Sequence, residues 1–269
     1  MSPETLCETF EGALAALQRC DPSRSLRGEA MAAFAKHGYP TRKHEDWRYT
    51  DLRSIAGGDF DPTPQALTTQ HIRRGRELLE ASALDGEAAR LVFVDGQPLP
   101  GERSAEPLRG LAVLGGACAW QRIGALHDPA LLTHHPLAAL NTAFASSETL
   151  IRVDENARVD APLHLVFITA GAVHRSTQPR ILIDMGAGSE LTIVQHFFGE
   201  SADPAWTNPV TQISQDTASR LTLYRYQAHG AEQLHTELLK ARLERDAHIK
   251  LGYVAVSYTH LTLPTKRIV

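Results

Sequence analysis

The chain contains few cysteines and no long apolar run. Its 269 residues include only Cys7, Cys20 and Cys118, none at the spacing of metal ligands. This odd, small number indicates packed free thiols in a reducing cytoplasm rather than a disulfide framework. No stretch reaches the roughly 18 apolar residues of a membrane-spanning helix. The first residues are acidic where a signal peptide is basic, so we do not expect export.

An excess of charge of either sign is also missing. The formal net charge is -4, which gives no overall attraction to nucleic acid or to an anionic membrane. The small basic cluster at 71–76 lacks interleaved aromatic residues and is typical of a solvated helix face. We therefore expect neither a nucleic-acid nor a membrane partner.

The common catalytic motifs are absent as well. The sequence has no G-x-S-x-G elbow, no phosphate-binding P-loop, no H-E-x-x-H and no C-x-x-C pair. His134 and His135 are adjacent, so their side chains cannot face one site together. The remaining histidines of the second half are scattered, and we expect structural roles for His164, His174, His196, His229, His235 and His248. The sequence thus predicts no catalytic residue, no metal site and no enzyme, and it leaves cofactor-binding residues unknown.

The N-terminal third shows helical patterns. Ser2-Pro3-Glu4 is typical of a helix start, and a second helix is predicted over about 25–36, ended by Gly38 and Pro40. Residues 59–70 are rich in proline and threonine and predict a linker, followed by a short helix at about 71–83.

Residues 150–256 have strand–turn–strand patterns repeated four times. Alanines mark the turns at spacings of 30, 31 and 29 residues: Ala157, Ala187, Ala218 and Ala247. Apolar residues two apart flank them and would share one face of a strand. This period favours a β-solenoid, although alternation alone does not exclude a sheet of antiparallel hairpins. Residues 201–209, with Trp206, are expected to form an exposed loop.

The most distinctive local sequence lies between residues 38 and 52. Its ordered positions are Pro40, Arg42 or Lys43, Glu45, Trp47, Tyr49 and Thr50. Together with His135-Pro136 and the following residues to Phe144, it resembles the SufB/SufD family of iron–sulfur cluster assembly scaffolds. The family's Asp-Gly turn after the second element is replaced here by Ser146-Ser147-Glu148. Residues of the first motif are expected to act as a structural clamp, and Arg42 and Lys43 are close enough in sequence to pair with Glu45 and Asp46.

The resemblance implies an α+β fold. An N-terminal helical domain with linker would span 1–89, and a parallel β-helix would span 90–256. Residues 257–269 do not continue the family pattern and are interpreted as a non-native tail, so we expect the chain to be truncated before its last rungs and helical cap. A stack ending there would expose a strand edge and aggregate or pair edge to edge.

The same resemblance implies a cytoplasmic scaffold subunit that acts with SufB and the SufC ATPase in a heteromeric complex, or forms a homodimer. The SufD branch fits better than SufB, because helices precede the motif and SufB-type cysteines are absent. The family's cluster chemistry relies on a SufB cysteine and on a SufD histidine that would lie beyond Val256. We therefore expect the iron–sulfur cluster to be handled by the full complex and not bound by this fragment.

A β-helical carbohydrate-active enzyme is the alternative. It would need carboxylates on one solvent-facing row of neighbouring rungs. Asp154 and Asp184 are predicted to share a repeat position, with Gln215 and Glu244 at that position in the next rungs.

Overall fold

The computed structural model describes residues 1–17, 20–82, 84, 89–103, 108–126, 129–171, 173–199 and 204–256. The predicted tail at 257–269 and residues 201–203 of the predicted loop at 201–209 lie outside these residues. The division into domains at 89/90 and the expected edge-to-edge association stay predictions.

Helices form the N-terminal region and return before the solenoid. They are α1 (Pro3–Ala16), α2 (Arg24–His37), α3 (Arg53–Ala56), α4 (Thr69–Ala81), α5 (Ala117–Ala125), α6 (Pro129–His134) and α7 (Pro136–Phe144), with a short 3-10 turn at Glu45–Trp47. The predicted start of α1 is confirmed, because the Ser2 hydroxyl accepts a hydrogen bond from the Thr5 backbone N–H. None of the described helices has the length and apolar character needed to cross a membrane.

Fourteen strands are described, and the last eleven wind as a parallel solenoid. The strands are β1 (Arg90–Val94), β2 (Gln97–Arg103), β3 (Leu111–Gly115), β4 (Ser147–Val153), β5 (Leu163–Thr169), β6 (Arg175–Thr177), β7 (Pro179–Met185), β8 (Glu190–Gly199), β9 (Ala205–Thr207), β10 (Val210–Gln215), β11 (Arg220–Ala228), β12 (Gln233–His235), β13 (Leu238–Leu243) and β14 (His248–Ala255). From β4 onward, each turn adds one strand to each of three sheets, and β13 and β14 continue two of them. All pairings between these turns are parallel, so the antiparallel-hairpin alternative is wrong.

The turns between the two larger sheets stack, but not through their alanines. The equivalent position in each turn has a left-handed backbone and holds Asn156, Gly188, Ala218 and Asp246. Backbone hydrogen bonds join successive turns, such as Asn156 N–H to the Ala187 carbonyl at 2.8 Å. The predicted period is therefore confirmed, but the four alanines do not share one place: Ala187 precedes the left-handed residue, Ala218 is that residue, and Ala157 and Ala247 follow it.

Apolar columns fill the interior of the first turns. Phe93, Phe167 and Phe197 stack with ring centroids 5.0 and 4.6 Å apart. Ile151, Ile183 and Ile213 form a second column that is almost fully buried. The first turn is covered by the hairpin of β1 and β2, which joins β5, and by β3, which pairs antiparallel with β4. Parallel pairing within each of the two larger sheets brings equivalent side chains of successive turns into contact. This contact explains the regular rows of inward-facing side chains.

Trp206 is buried, contrary to the prediction of an exposed loop. It lies in β9 with only 1% of its surface accessible, and its indole N–H donates to the Thr236 hydroxyl at 2.8 Å. Tyr39 and Phe60 from the N-terminal region pack against its ring. The prediction failed because a three-residue strand flanked by prolines has too short a pattern to recognise. Trp206 thus joins the helical region to the solenoid.

Candidate functional site

A polar column replaces the apolar interior in the later turns of the solenoid. The ladder aligns Leu165, Gln195, Arg225 and Tyr253 in successive turns. The buried Arg225 guanidinium donates to Gln195 Oε1 from Nε at 2.9 Å and from Nη2 at 2.6 Å. Its Nη1 contacts the Tyr253 hydroxyl and the Glu237 carboxylate. An ion pair therefore lies inside the β-helix.

Two histidines extend this column into a continuous chain of hydrogen-bonding groups. The Tyr253 hydroxyl donates to Glu237 Oε1, and the other Glu237 oxygen lies 3.1 Å from His235 Nε2. His235 Nδ1 faces His229 Nε2 at 3.2 Å, and His229 Nδ1 lies 3.0 Å from Gln233 Oε1. We call Gln195, Arg225, Gln233, Glu237, Tyr253, His229 and His235 the interior network.

Burial sets the charge of this network. It lowers the pKa of His229 to about 4 and that of His235 well below its usual value, so both imidazoles are neutral near pH 7. It also lowers the pKa of Arg225 to about 10, which leaves the guanidinium charged. Burial raises the pKa of the Tyr253 phenol, so the phenol stays protonated. The network consequently pairs one cation with the Glu237 carboxylate.

A second buried polar region lies around α7. Arg180 is almost fully buried and donates to Thr142 Oγ1 at 2.8 Å, with Asn141 Oδ1 at 3.3 Å. Asn141 in turn donates to the carbonyls of Pro179 and Asn208. The hydrogen bonds of the family-like segment 135–144 therefore attach α7 to two turns of the solenoid. This role is structural.

The motif at 38–52 does not contact the interior network. Trp47 packs, partly buried, against the helical core, while Tyr49 is 79% exposed. Arg42 pairs with Asp51 at 3.5 Å and not with Glu45 or Asp46 as expected, while the pairing of Lys43 stays a prediction.

Asp154 and Asp184, the two carboxylates proposed first for carbohydrate cleavage, are not aligned in the ladder. Asp184 aligns with Arg152 and Ser214, whereas Asp154 lies two residues further along the ladder. Asp184 is also held by the Arg122 guanidinium in two hydrogen bonds of 2.8 Å. Gln215 aligns with Met185 and Leu243, so it too differs from Asp184 in position. The prediction of one carboxylate row was wrong, because it counted from the alanines instead of from the ladder.

The other candidate residues are dispersed. Cys7 is partly buried, but Cys20 and Cys118 are exposed, so the expectation of packed thiols is wrong for those two. His134 and His135 end α6 and precede α7. His164 and His196 lie side by side on the outer face of the solenoid, with Nδ1 and Nε2 2.9 Å apart. Within the described ranges, no group of three or more His, Cys, Asp or Glu side chains has the arrangement of a metal site.

Sequence reasoning missed the interior network. The signal that could have revealed it is the alternation of Gln233, His235 and Glu237, which places three polar groups two residues apart along one short segment. Arg225, the partner of Glu237, belongs to a different strand. The contact between these two residues depends on the winding of the coil.

Comparison with known proteins gives matches in both halves of the chain. Residues 4–73 match the family described as SufBD protein N-terminal region. Residues 166–262 match the family described as SUF system FeS cluster assembly, SufBD core domain. The second match runs beyond Val256, the last residue before the predicted non-native tail, and the nature of that tail stays a prediction.

Three curated proteins illustrate the similarity. Iron-sulfur cluster assembly protein SufD of Escherichia coli is 28% identical over 77% of this chain and 43% of its own length. An iron-sulfur cluster assembly SufBD family protein of Synechocystis is 21% identical over 73% of this chain and 45% of its own. Protein ABCI7, chloroplastic, of Arabidopsis thaliana is 22% identical over 93% of this chain and 54% of its own.

The chain thus spans about half the length of the curated relatives that it matches. The N-terminal helices, the parallel solenoid and the two ordered family matches agree with one another. The chain belongs to the SufB/SufD family of iron–sulfur cluster assembly proteins and is SufD-like.

Proposed function

We propose that this chain is part of a non-enzymatic scaffold subunit of the iron–sulfur cluster assembly machinery, working in the cytoplasm with SufB and the SufC ATPase. The observation that carries the proposal is the order of the two family matches along a chain that folds as helices followed by a solenoid. The cluster is then cargo of the assembled complex and not a resident cofactor of this chain.

The packing of the solenoid supports a scaffold. Its described interior is filled by apolar columns and by the interior network, which leaves little room for a small-molecule substrate. Its outer surface is long and regular, and such surfaces suit protein partners. The outer face of β11 and β14 presents Tyr224, Tyr226 and Val254, which are exposed aromatic and apolar side chains of the kind found in interfaces.

Co-purification tests this proposal. The 269-residue chain, carrying an affinity tag, is co-expressed with SufB and SufC of its source organism and isolated by the tag. We expect both proteins to be retained in defined ratios. A folded chain that retains neither of them contradicts the proposal.

Two variants of the chain serve as controls. Ile183→Asp places a charge in the buried isoleucine column and should abolish β structure and retention together. Arg245→Ala alters an exposed turn residue and should leave retention unchanged. Circular dichroism of each purified chain separates loss of folding from loss of binding.

A further inference from the structure

The two larger sheets of the solenoid end differently at the start of the stack. In the six-stranded sheet the end strand is β2, where Pro98 and Pro100 lack the N–H that a further strand would need. Prolines at such positions protect a sheet edge from pairing. In the five-stranded sheet the end strand is β3, whose sequence LAVLG carries neither a proline nor a charge. The edge of β3 therefore lacks the usual protection.

Backbone groups of β3 point away from its sheet. This strand pairs antiparallel with β4, and the Gly110 carbonyl accepts a hydrogen bond from the Asp154 N–H at 2.9 Å. Residues that bond to the neighbouring strand alternate with residues that do not. Val113 and Gly115 therefore direct their N–H and C=O groups to the other side. Among the described residues, β3 is paired with no strand except β4.

The surface around this edge is uncharged. Residues 110–121 contain no charged side chain, in a chain of which 22% of the residues are charged. Leu114 is 38% exposed, and Ala112, Gly115 and Ala117 are exposed as well. Small and apolar side chains thus surround the outward-facing backbone groups. Exposed apolar surface of this kind marks sites of protein association.

The charge pattern favours a second copy of this chain as the partner. A two-fold contact places the same patch of both copies face to face, so like charges within the patch would repel each other. The β3 edge has no charge to repel its own copy or to attract a charged partner. The nearest charges in the ladder, Arg152 and Asp154, lie on the far side of β3 and have opposite signs.

We propose that β3 pairs antiparallel with β3 of a second copy of this chain, about a two-fold axis at Val113. Val113 then exchanges backbone hydrogen bonds with Val113 of the second copy. The Leu111 carbonyl accepts from the Gly115 N–H of that copy, whereas the Leu111 N–H stays bonded to the Leu108 carbonyl at 3.1 Å.

The side chains on the outer face of β3 fit this arrangement. Leu114 lies opposite Ala112 of the second copy, so a large exposed side chain covers a small one on each side of the axis. The five-stranded sheets of both copies become one continuous sheet. This contact lies at the opposite end of the stack from β14 and does not depend on a role in cluster assembly.

Disulfide formation between differently tagged chains tests the register. One chain carries Ala112→Cys and the other Leu114→Cys, and serine replaces the native cysteines in both. Opposed residues of a non-hydrogen-bonded pair have Cα atoms about 4.5 Å apart, within the range of a disulfide. Identical positions of the two copies would be about 7–8 Å apart. We expect oxidation to link the two chains in a mixture and to link neither variant with itself.

Two outcomes of this experiment overturn the proposal. One is the absence of a link in a mixture whose chains retain the circular dichroism of the wild type. The other is a link formed equally well within either variant alone, because it would show a different register.

The mass of the 269-residue chain in solution tests the dimer itself. We expect light scattering to show a dimer that dissociates on dilution. Leu114→Lys places a charge at the strand edge and should raise the dissociation constant by about 10-fold or more. Val173→Lys changes an exposed apolar side chain outside the strands and should leave the dimer intact. A wild-type chain that is monomeric at all concentrations, or equal effects of both variants, would contradict the proposal.

Hydrogen exchange of the wild-type chain requires no variant. The Val113 and Gly115 amides should exchange more slowly in the dimer than in the diluted chain. Equal exchange in both states would show that the edge is not the contact. Protection that appears only when SufB is added would assign the edge to another protein and overturn the proposed second copy.

Discussion

At the scale of the residue, the polar groups inside the solenoid depend on one another. Arg225 is buried in the stack and its charge is balanced by Glu237. A buried charge that loses its partner stays out of contact with water. The free-energy cost of removing it from water is then no longer offset by the ion pair. The stability of the later turns should therefore depend on this pair.

Replacement of Glu237 tests that dependence. Glu237→Ala should lower the free energy of unfolding by about 3–5 kcal/mol, because it leaves the Arg225 guanidinium unpaired. Glu232→Ala, an exposed carboxylate five residues earlier, should change it by no more than about 0.5 kcal/mol. Urea unfolding followed by circular dichroism measures both; equal effects would show that the pair contributes nothing specific.

The buried histidines should make stability depend on pH. The pKa of His229 and that of His196 are each lowered from 6.5 to about 4, chiefly by burial. Between pH 6.5 and pH 4 these histidines bind protons in the unfolded chain but not in the folded chain. The free energy of unfolding is therefore highest above pH 6.5 and falls as the pH drops towards 4.

For His229 alone the loss should approach about 3 kcal/mol. Urea unfolding between about pH 7 and about pH 4.5 measures this loss. His229→Gln should reduce the pH dependence, because His196 still contributes, whereas His248→Gln should leave it unchanged. A profile that is flat in the wild-type chain would contradict the neutral, buried state of these rings.

At the scale of the element, the turns between sheets determine how the coil repeats. Gly188 and Ala218 occupy equivalent left-handed positions, with φ of 65° and 58°. A side chain at such a position is strained, whereas glycine is not. The two turns therefore provide a matched pair of substitutions.

Alanine in place of Gly188 and glycine in place of Ala218 should change the stability of the chain in opposite directions. Gly188→Ala should destabilise the chain by about 1–2 kcal/mol. Its new Cβ would also lie 2.7 Å from Asn156 Oδ1, which must move. Ala218→Gly should be neutral or stabilising by up to about 1 kcal/mol, because the strain that it relieves exceeds the added entropy of the unfolded chain. Thermal melts of both variants measure this; a loss of stability in Ala218→Gly would contradict the assigned turn geometry.

Sequence patterns predicted the secondary-structure elements better than they predicted which residues of successive turns are aligned. The helices at the N-terminus and the period near 30 residues both follow from local capping and alternation. The alignment of Asp154 with Asp184 could not be predicted, because the lengths of successive turns differ by two residues. Contacts between turns, such as Arg225 with Glu237, depend on that alignment and were missed for the same reason.

At the scale of the whole molecule, each turn is stabilised by its neighbours. Leu191, Leu221 and Ile249 occupy one inward row of successive turns. Leu191 and Leu221 are almost fully buried, while Ile249, in the last described strand, is only partly buried. Stability should consequently decline along the stack towards β14.

Shortening the side chains of this row to alanine should reveal the decline in stability along the stack. Leu221→Ala should cost about 2–5 kcal/mol because it leaves a cavity between turns. Ile249→Ala should cost less than half of that amount. Hydrogen exchange should likewise be slowest in β7 and β8 and fastest in β14. Equal protection in all the strands would contradict a coil whose turns are stabilised by nearest neighbours.

The central claim is that this solenoid is a subunit built to hold other proteins of cluster assembly. Its most direct test is the mass, by light scattering after gel filtration, of a mixture of the chain with purified SufB and SufC. The account predicts one species heavier than any component and containing all three proteins. Separate elution of a folded chain at its own mass would contradict it.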